Sequence, residues 1–368
     1  MFNQNKKSIG FICTSLDNMA GGLERQIIRT CDSLISKGFK VILFTFDNEE
    51  AIPFYKLPKD ILWIKCGDGL KPHSSASLYL RLKQIFKLRK KIYENSITQL
   101  ITFHHGLFPR IYLACIFLPI RLIISERNSL KFYDYIKLPK FNIGFFSLFL
   151  CDAITVQISS YRNQYPYFLK RKIFVINNFI KKPLEKYTEP KLDGNRVSMI
   201  GRLCAQKNYE VLLDQLSKKG RHNFYIAIAG EGDLSEYIKN KYRKLIKNSQ
   251  LCLMGNIKDI DLFLSNSTIF CMTSQWEGYP NSLAEALRMS LPIIISKRFK
   301  ELKEFVEHEV NGLIVDEDKY IESIEYLLGN RKLLSKMSKE SYKKYCILSR
   351  SRPSIDWYNL IKGKKYTS

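Results

Sequence analysis

The sequence has no long uninterrupted apolar run. Its two most apolar stretches, 111–125 and 141–150, are interrupted by Arg121 or followed closely by Asp152. Neither approaches the ~20 consecutive apolar residues that a membrane-spanning helix needs. The first residues, MFNQNKKSIGFICTS, also lack the extended apolar segment of a secretory signal peptide. We therefore expect a chain that does not cross a membrane.

The sequence also lacks paired cysteines and metal-ligand spacings. Its nine cysteines are odd in number, none has C-x-x-C spacing, and several stand inside apolar, strand-like runs. Such cysteines are typical of buried, reduced thiols in a cytosolic protein. The adjacent His104 and His105 have no third ligand at a suitable spacing, so we predict no metal site and no cofactor.

Acidic residues are scarce relative to basic ones. The chain has 59 Lys and Arg against 35 Asp and Glu, a net charge of +24. This excess indicates an anionic partner: a nucleic acid, an acidic membrane surface or a phosphorylated small molecule. Between Lys71 and Lys91 there are seven Lys or Arg and no acid. The helix predicted over 75–95 presents these cations either to solvent or to anionic lipid.

Two further helices are predicted from apolar spacing and a capping residue. The helix over 75–95 is predicted to bury one apolar face, formed by Leu78, Leu82, Ile85, Phe86, Leu88 and Ile92. A second helix is predicted from a cap at Asp233 to about Asn248.

The chain length and its βα pattern predict two domains of the same architecture. At 368 residues the chain exceeds one ordinary core. A strand over 7–14, a glycine turn, a helix over 23–37 and a strand over 40–46 form a βαβ unit, which implies a parallel sheet. A second βα series begins at 196, after a linker over 181–195 rich in Pro and charge. We predict an α/β protein of two Rossmann-like domains, 1–180 and 196–350, facing each other across a ligand cleft.

Three loops of the first half follow predicted strands. Gly21 and Gly22 precede a helix, so the backbone there can approach a ligand closely and the helix N-terminus attracts anions. His105 follows the strand over 99–103, and Glu126, Arg127 and Asn128 follow the strand over 121–125. Since open α/β sheets bind ligands at the carboxyl ends of their strands, these residues are candidate ligand contacts.

The second half carries the chemistry of a diphosphate site. Arg202 and Lys207 share one loop after a strand, and two such cations suit a diphosphate. A helix beginning near Asn281 and Ser282 offers free backbone N–H groups to the same anion. Glu277 and Glu285 lie before and within that helix, and carboxylates accept hydrogen bonds from sugar hydroxyls. A nucleoside diphosphate sugar has all of these groups.

These motifs together resemble a known family. The order and spacing of GRLCAQKN, GEGDLSEYI, LMGNIKDI, TSQWEGYPNSLAEAL, LPIII and NGLIV are similar to those of glycosyltransferase family 4. GGLER and the SERN loop resemble members that extend lipid-linked O-antigen or N-glycan precursors. The resemblance covers nearly the whole chain and implies a GT-B fold and retaining transfer without a metal ion. It also implies that a terminal helix over 352–364 packs back on the first domain.

The resemblance assigns roles to individual residues. Arg202, Lys207 and Glu277 would be catalytic: the two cations hold the diphosphate and stabilise the charge that develops on it, and Glu277 contacts the donor sugar. The remaining donor contacts would be Gly21, Gly22, Gly255, Asn256, Ile257, Asn281, Ser282 and Glu285, with Glu285 on the ribose. Acceptor-side candidates are His105, Glu126, Arg127 and Asn128. Many members have a histidine where this chain has SERN, and glycine where it has Ser290.

The predicted function is transfer of a hexose or N-acetylhexosamine from a nucleotide sugar, with UDP the expected nucleotide. The acceptor would be a polyprenyl-diphosphate-linked saccharide in O-antigen, capsule or glycan-precursor assembly. The enzyme would lie in the cytoplasm, on the inner face of a bacterial inner membrane, held there by the basic helix between Lys71 and Lys91. Two alternatives remain open: a sugar-nucleotide epimerase of the same architecture, and a nucleic-acid-binding protein suggested only by the net charge.

Overall fold

The computed structural model describes residues 8–19, 21–67, 77–103, 105–130, 143–190, 194–218, 220–298 and 300–364. The chain forms two compact units: one of 1–179 with 352–368, the other of 180–351. The stretch predicted as a linker groups with the second unit. There the Tyr345 hydroxyl donates a hydrogen bond to the Lys181 carbonyl (2.6 Å), and the Tyr342 hydroxyl donates one to the Leu184 carbonyl (2.9 Å).

The first unit contains a parallel sheet of seven strands in the order β3-β2-β1-β4-β5-β6-β7. Short runs of Ile, Val, Leu and Phe form these strands, and most of their side chains are buried because helices cover both faces. The strands are β1 Ser8–Ile12, β2 Lys40–Thr45, β3 Leu62–Lys65, β4 Ile97–Phe103, β5 Arg121–Ser125, β6 Ala153–Val156 and β7 Ile173–Val175.

The helices of the first unit form two layers. The chain passes from β1 to β2 in one direction along the sheet, and from β3 across to β4 in the opposite direction. Because connections between parallel strands are right-handed, α1 lies on one face of the sheet and α2 to α4 lie on the other. The terminal helix α13 packs with α1: its Trp357 is 3% exposed and lies in the core beside Phe11. The helices are α1 Gly22–Ile35, α2 Leu78–Glu94, α3 Phe108–Cys115, α4 Ile143–Leu150, α5 Ser159–Arg162 and α13 Pro353–Ile361.

The second unit contains a parallel sheet of six strands in the order β10-β9-β8-β11-β12-β13. The strands are β8 Arg196–Ile200, β9 Tyr225–Ala229, β10 Leu251–Leu253, β11 Ile269–Met272, β12 Ile293–Ser296 and β13 Gly312–Val315. The helices are α6 Glu210–Lys218, α7 Ser235–Lys241, α8 Arg243–Lys247, α9 Ile260–Ser265, α10 Asn281–Arg288, α11 Tyr320–Gly329 and α12 Arg331–Leu348.

The helix predicted from Asp233 to about Asn248 is present as α7 and α8, which are separated at one residue. The predicted cap at Asp233 is wrong, because α7 begins after Leu234 without a side-chain cap. The break lies at Tyr242, which has φ −106° and ψ 24°. Tyr242 is buried, and its hydroxyl donates to Asp214 Oδ1 (2.7 Å). Helical backbone hydrogen bonds continue through this residue, from Tyr242 N to Ile238 O (3.0 Å) and from Ile246 N to Tyr242 O (3.1 Å), so the break is a local distortion.

The buried face predicted for α2 is also wrong in part. Leu88 and Ile92 are buried, with Gln84 one turn before them. Leu78, Leu82 and Phe86 are exposed instead, by 74%, 43% and 67%. These apolar residues recur every four positions and form a second stripe on the outer side of the helix.

The α/β class of two parallel-sheet units is confirmed. Among the helices that the structure describes, none has the length and apolar character needed to cross a membrane. Every loop that carries a candidate contact follows the carboxyl end of a parallel strand or starts a helix next to one.

Candidate functional site

Backbone hydrogen bonds join three loops of the second unit at the carboxyl ends of β8, β9 and β10. Gly201 N donates to Ala229 O (3.0 Å), and Gly230 N donates to Gly255 O (2.7 Å). Ligands of parallel α/β sheets bind at this edge. The loop that carries Arg202 therefore rests on two neighbouring loops.

Glycine is required where these loops touch. Gly230 has φ +135°, which side-chain-bearing residues rarely adopt, and a Cβ there would collide with the Gly201 carbonyl oxygen. A Cβ on Gly232 would collide with the Leu203 carbonyl oxygen. The G-x-G pattern after β9 thus serves close backbone packing beneath the β8 loop.

Lys207 and Glu277 form a nearly buried ion pair. Lys207 Nζ lies 2.6 Å from Glu277 Oε1, with the two side chains 15% and 9% exposed. The Thr273 hydroxyl donates to the Lys207 carbonyl (2.7 Å), which ties the end of β11 to the same loop. The catalytic pair predicted from the sequence is thereby brought into direct contact, although neither role is tested by this geometry.

Two neighbours of Lys207 hold this loop in place and were missed by sequence reasoning. Gln206 Nε2 donates to the Trp276 carbonyl (2.9 Å), and the Tyr209 hydroxyl donates to the Gly201 carbonyl (2.8 Å). Burial, and secondarily the Glu277 carboxylate, raises the pKa of Tyr209. Gln206 and Trp276 are 70 positions apart, so no local pattern could have indicated their contact.

Arg202 differs from Lys207 in its exposure. Its side chain is exposed, and within the described ranges no carboxylate pairs with it. The loop therefore presents one cation that is locked by Glu277 and one that is open to solvent. An exposed guanidinium can bind an oxyanion through two parallel N–H groups.

Helix α10 begins at Asn281, where the sequence predicts it. Ser282 is buried in the first turn, and Glu285 is half-buried one turn further on. At the end of the helix Ser290 has φ +60°, the left-handed conformation that glycine adopts most easily. A relative with glycine at this position could therefore form the same turn.

The loop after β10 holds the other predicted donor contacts. Gly255 has φ +62°, and Asn256 Nδ2 donates to Glu231 Oε2 (3.2 Å) across to the loop after β9. Ile257 is half-buried beside them. Glu231 is a further residue of this edge that the sequence did not single out.

The acceptor-side candidates of the first unit also lie together. His105 Nδ1 lies 2.5 Å from Glu126 Oε1, and the His105 backbone N–H donates to the same oxygen (3.2 Å). Both side chains are fully buried, at 0% and 1% exposure. Glu126 Oε2 is buried without a hydrogen-bond partner among the described residues. His104 lies outside the described residues.

Arg127 is half-buried next to this pair. Its guanidinium lies 4.7 Å from the centroid of the Phe103 ring, and Nη1 donates to Asn178 Oδ1 (3.0 Å). Burial lowers its pKa to about 9, although the Glu126 carboxylate partly opposes the change. Asn128, the last of the four candidates, is half-buried. Asn178, 51 positions away from Arg127, was not predicted.

The predicted phosphate contact at Gly21 and Gly22 already faces a carboxylate. Glu24 is buried in the first turn of α1, and a Cβ on Gly21 would collide with its Oε2 atom. Glutamate at this third helical position commonly folds back over the helix start. The phosphate contact stays a prediction, and an incoming anion would meet the negative charge of Glu24.

Comparison with known proteins identifies the kind of chemistry. Residues 181–344, which lie within the second unit, match the family model described as glycosyl transferases group 1. The chain carries a group 1 glycosyl transferase domain. The resemblance stated from the sequence is thereby confirmed, and the activity is glycosyl transfer. The retaining mechanism, the donor and the acceptor stay predictions.

Two relatives align with this glycosyltransferase over most of their lengths. An uncharacterized glycosyltransferase of Haemophilus influenzae is 26% identical over 91% of this chain and 94% of its own. A Campylobacter jejuni protein is 28% identical over 97% of this chain and 99% of its own. The latter is named GalNAc-alpha-(1->4)-GalNAc-alpha-(1->3)-diNAcBac-PP-undecaprenol alpha-1,4-N-acetyl-D-galactosaminyltransferase.

A solved structure supports the fold. A mutant of S. aureus TarM, crystallised in complex with Fondaparinux, alpha-GlcNAc-glycerol and UDP, is 12% identical to this glycosyltransferase. It aligns with a TM-score of 0.76 over 97% of this chain and 99% of its own. At this identity the likeness concerns the fold alone, which confirms the predicted GT-B class.

Proposed function

We propose that this glycosyltransferase moves a hexose or N-acetylhexosamine from a UDP-sugar to a polyprenyl-diphosphate-linked saccharide, with retention and without a metal ion. The observation that carries the proposal is the Lys207–Glu277 pair (2.6 Å) beside the exposed Arg202. This arrangement offers cations for the diphosphate and a carboxylate for the sugar within one rigid loop system.

The two cations would act by electrostatic stabilisation. A lysine ammonium has three N–H donors, so Lys207 can keep Glu277 and still donate to a diphosphate oxygen. Arg202 supplies the second charge from the solvent side of the loop. When the C1–O bond breaks and its electron pair leaves with UDP, both cations stabilise the charge on the departing diphosphate.

The carboxylates would orient the donor. Glu277 accepts hydrogen bonds from sugar hydroxyls, Glu285 accepts them from the ribose diol, and Gly255 to Ile257 border the base. The Asn281 N–H already donates to the Tyr279 carbonyl (2.8 Å), so at the start of α10 the Ser282 N–H would add to the diphosphate contacts. In a retaining transfer the acceptor oxygen bonds to C1 on the face that UDP leaves, and its proton passes to the departing diphosphate.

The acceptor would bind to the first unit beside His105, Glu126, Arg127 and Asn128, with Asn178 as an additional neighbour. Because His105 and Glu126 are fully buried against each other, they would act by positioning this loop, and the half-buried Arg127 and Asn128 would contact the saccharide. The name of the Campylobacter relative, which includes a PP-undecaprenol-linked acceptor, supports a lipid-linked saccharide. The cations between Lys71 and Lys91 would hold the enzyme at an anionic inner-membrane surface on the cytoplasmic side.

Substitution of Arg202 tests the donor part of the proposal with little risk to the fold. Because Arg202 is exposed, Arg202→Ala should leave the melting temperature unchanged. The variant should lower UDP affinity at least ~10-fold, equivalent to about 1.4 kcal/mol, and lower sugar transfer from UDP-N-acetylhexosamine. Isothermal titration calorimetry with UDP and a transfer assay measure the two effects.

Arg221→Ala provides the matched control, since Arg221 is another exposed arginine of the second unit. It should bind UDP as the wild type does. Equal UDP affinity in both variants and the wild type would refute the assigned diphosphate site. A strict requirement for a divalent cation in the transfer assay would count against the metal-independent mechanism.

A further inference from the structure

The exposed apolar side chains of this glycosyltransferase are concentrated on one side of the first unit. Of the twenty-two large apolar side chains that are exposed in the described residues, thirteen belong to α2, to α3, to the turn after α3, to α4 or to the segment before β7. We call these thirteen the apolar face: Leu78, Tyr79, Leu82, Phe86, Tyr93, Leu113, Ile116, Phe117, Phe146, Phe149, Leu150, Tyr167 and Phe168. A contiguous apolar surface of this kind indicates an interaction site.

The parts of the apolar face are joined. Arg89 Nη1 on α2 donates to the carbonyls of Ala114 (3.0 Å) and Ile116 (2.8 Å) at the end of α3. Lys172 Nζ donates to the carbonyl of Phe149 (3.0 Å) at the end of α4. The Phe149 ring also stacks on Phe168, with centroids 5.3 Å apart. Helices α3 and α4 are also neighbours, so the face is built from adjoining elements.

Phe117 is the most exposed member of the face. Its side chain is 93% exposed, and its backbone has φ +62°, a conformation that is strained for a bulky residue. Strained backbone conformations cluster at functional positions. Because Phe117 makes no contribution to the core, the unfavourable turn points to a role outside the folded unit.

Basic residues are concentrated in the same segments as the apolar face. The segments 77–120 and 143–176, which carry the face, contain eleven Lys or Arg and only two acids, Glu94 and Asp152. Two copies of the chain that paired through this face would bring the same cations together and repel each other. An anionic bilayer provides the opposite charge together with an apolar interior.

We propose that the apolar face is a membrane-docking surface, in which Phe117, Phe149 and Phe168 insert between lipids while the cations of the same segments contact anionic headgroups. The proposal rests on the proposed function for the need to reach a lipid-linked acceptor. It goes beyond the basic helix in assigning apolar insertion to α3, α4 and the segment before β7. It also makes the first unit the membrane-bound one.

Flotation of the full chain with vesicles tests this assignment. The wild type should float with phosphatidylcholine vesicles that contain phosphatidylglycerol, and much less with phosphatidylcholine alone. The triple variant Phe117→Ser, Phe149→Ser, Phe168→Ser should lose at least ~10-fold in vesicle affinity, because interfacial binding scales with buried apolar area. Its UDP affinity should stay that of the wild type, since none of the three residues lies in the donor site.

The matched control changes three apolar residues of the second unit with comparable exposure, Leu262→Ser, Tyr326→Ser and Ile347→Ser. It should bind vesicles as the wild type does. Equal vesicle binding by the two triple variants would overturn the proposal. So would a wild-type dimer in analytical ultracentrifugation that the phenylalanine variant converts to a monomer.

The outcomes separate this inference from the proposed function. If vesicle binding is absent while UDP binding and transfer to a detergent-solubilised acceptor persist, only the docking surface is wrong. If the phenylalanine variant loses vesicle binding but the wild type transfers no sugar, the docking surface stands and the proposed function fails.

Discussion

At the scale of single residues, the ion pair between Lys207 and Glu277 limits what a single substitution can show. Both side chains are largely buried. Removal of one partner leaves a buried charge uncompensated, which typically costs about 3–5 kcal/mol. A loss of activity in Lys207→Ala would therefore combine lost diphosphate binding with lost stability. The exposed Arg202 reports on the donor site more directly.

Substitution of Gly230 tests how much the packing of the β9 loop against the β8 loop stabilises the fold. Gly230→Ala combines an unfavourable φ with a collision against the Gly201 carbonyl, whereas Gly220→Ala adds a Cβ where no atom lies within 4 Å. Gly220 also has a positive φ, +80°, so it is a control for the backbone effect. We expect a loss of about 1 kcal/mol for Gly220→Ala and at least twice that for Gly230→Ala.

Urea unfolding measures both losses, and UDP titration should show weakened binding only for Gly230→Ala. Equal destabilisation of the two variants would mean that the contact between the β8 and β9 loops is unimportant.

At the scale of elements, helix α13 shows that a local pattern can predict a helix without predicting what it contacts. Its apolar spacing predicts a helix, but the contacts of Trp357 depend on a core formed by the opposite end of the chain. The Trp357 and Phe11 rings lie 6.2 Å apart, edge to face. Arg121 Nη1 donates to the Leu360 carbonyl (2.6 Å), which also accepts from the Gly363 N–H (3.1 Å) at the end of the helix.

Truncation of Trp357 should therefore destabilise the first unit. We expect Trp357→Ala to cost about 3–5 kcal/mol, because a large cavity would form in the core. Ile355→Ala changes a residue of the same helix that is 41% exposed and should stay within about 0.5 kcal/mol of the wild type. Denaturant unfolding compares the two, and similar values would show that α13 contributes little.

At the scale of the whole molecule, the candidate contacts are divided between two units. Arg202, Lys207, Glu277 and Glu285 belong to the unit that matches the group 1 glycosyl transferases, and His105 and Glu126 belong to the other. If the proposed function is right, donor binding and sugar transfer should respond differently to substitutions in the two units.

The variant Glu126→Gln should have a UDP affinity within about twofold of the wild type. Its rate of transfer to a polyprenyl-diphosphate-linked saccharide should fall at least ~10-fold. Arg202→Ala should weaken both UDP binding and transfer. Calorimetry and the transfer assay separate the two effects, and a melting curve checks that Glu126→Gln folds. Loss of UDP affinity in Glu126→Gln, with an unchanged melting curve, would place this glutamate in donor binding instead.

The sequence by itself determined the two βα series, most strand positions to within about two residues, the start of α10 and the family resemblance. These depend on local apolar runs, glycines and the spacing of a few charged residues along one loop. The buried runs of β1, β5 and β12 are typical of strands in a parallel sheet whatever the rest of the chain does.

Only the tertiary structure decided which side chains meet. The contacts of Lys207 with Glu277, of Gln206 with Trp276 and of His105 with Glu126 join positions 70, 70 and 21 apart. Periodicity predicted one buried face for α2, but a helix buries only what its neighbours cover, and Leu82 and Phe86 stay outside. Burial and pairing depend on the packing of elements that are distant in sequence, and no local pattern encodes that packing.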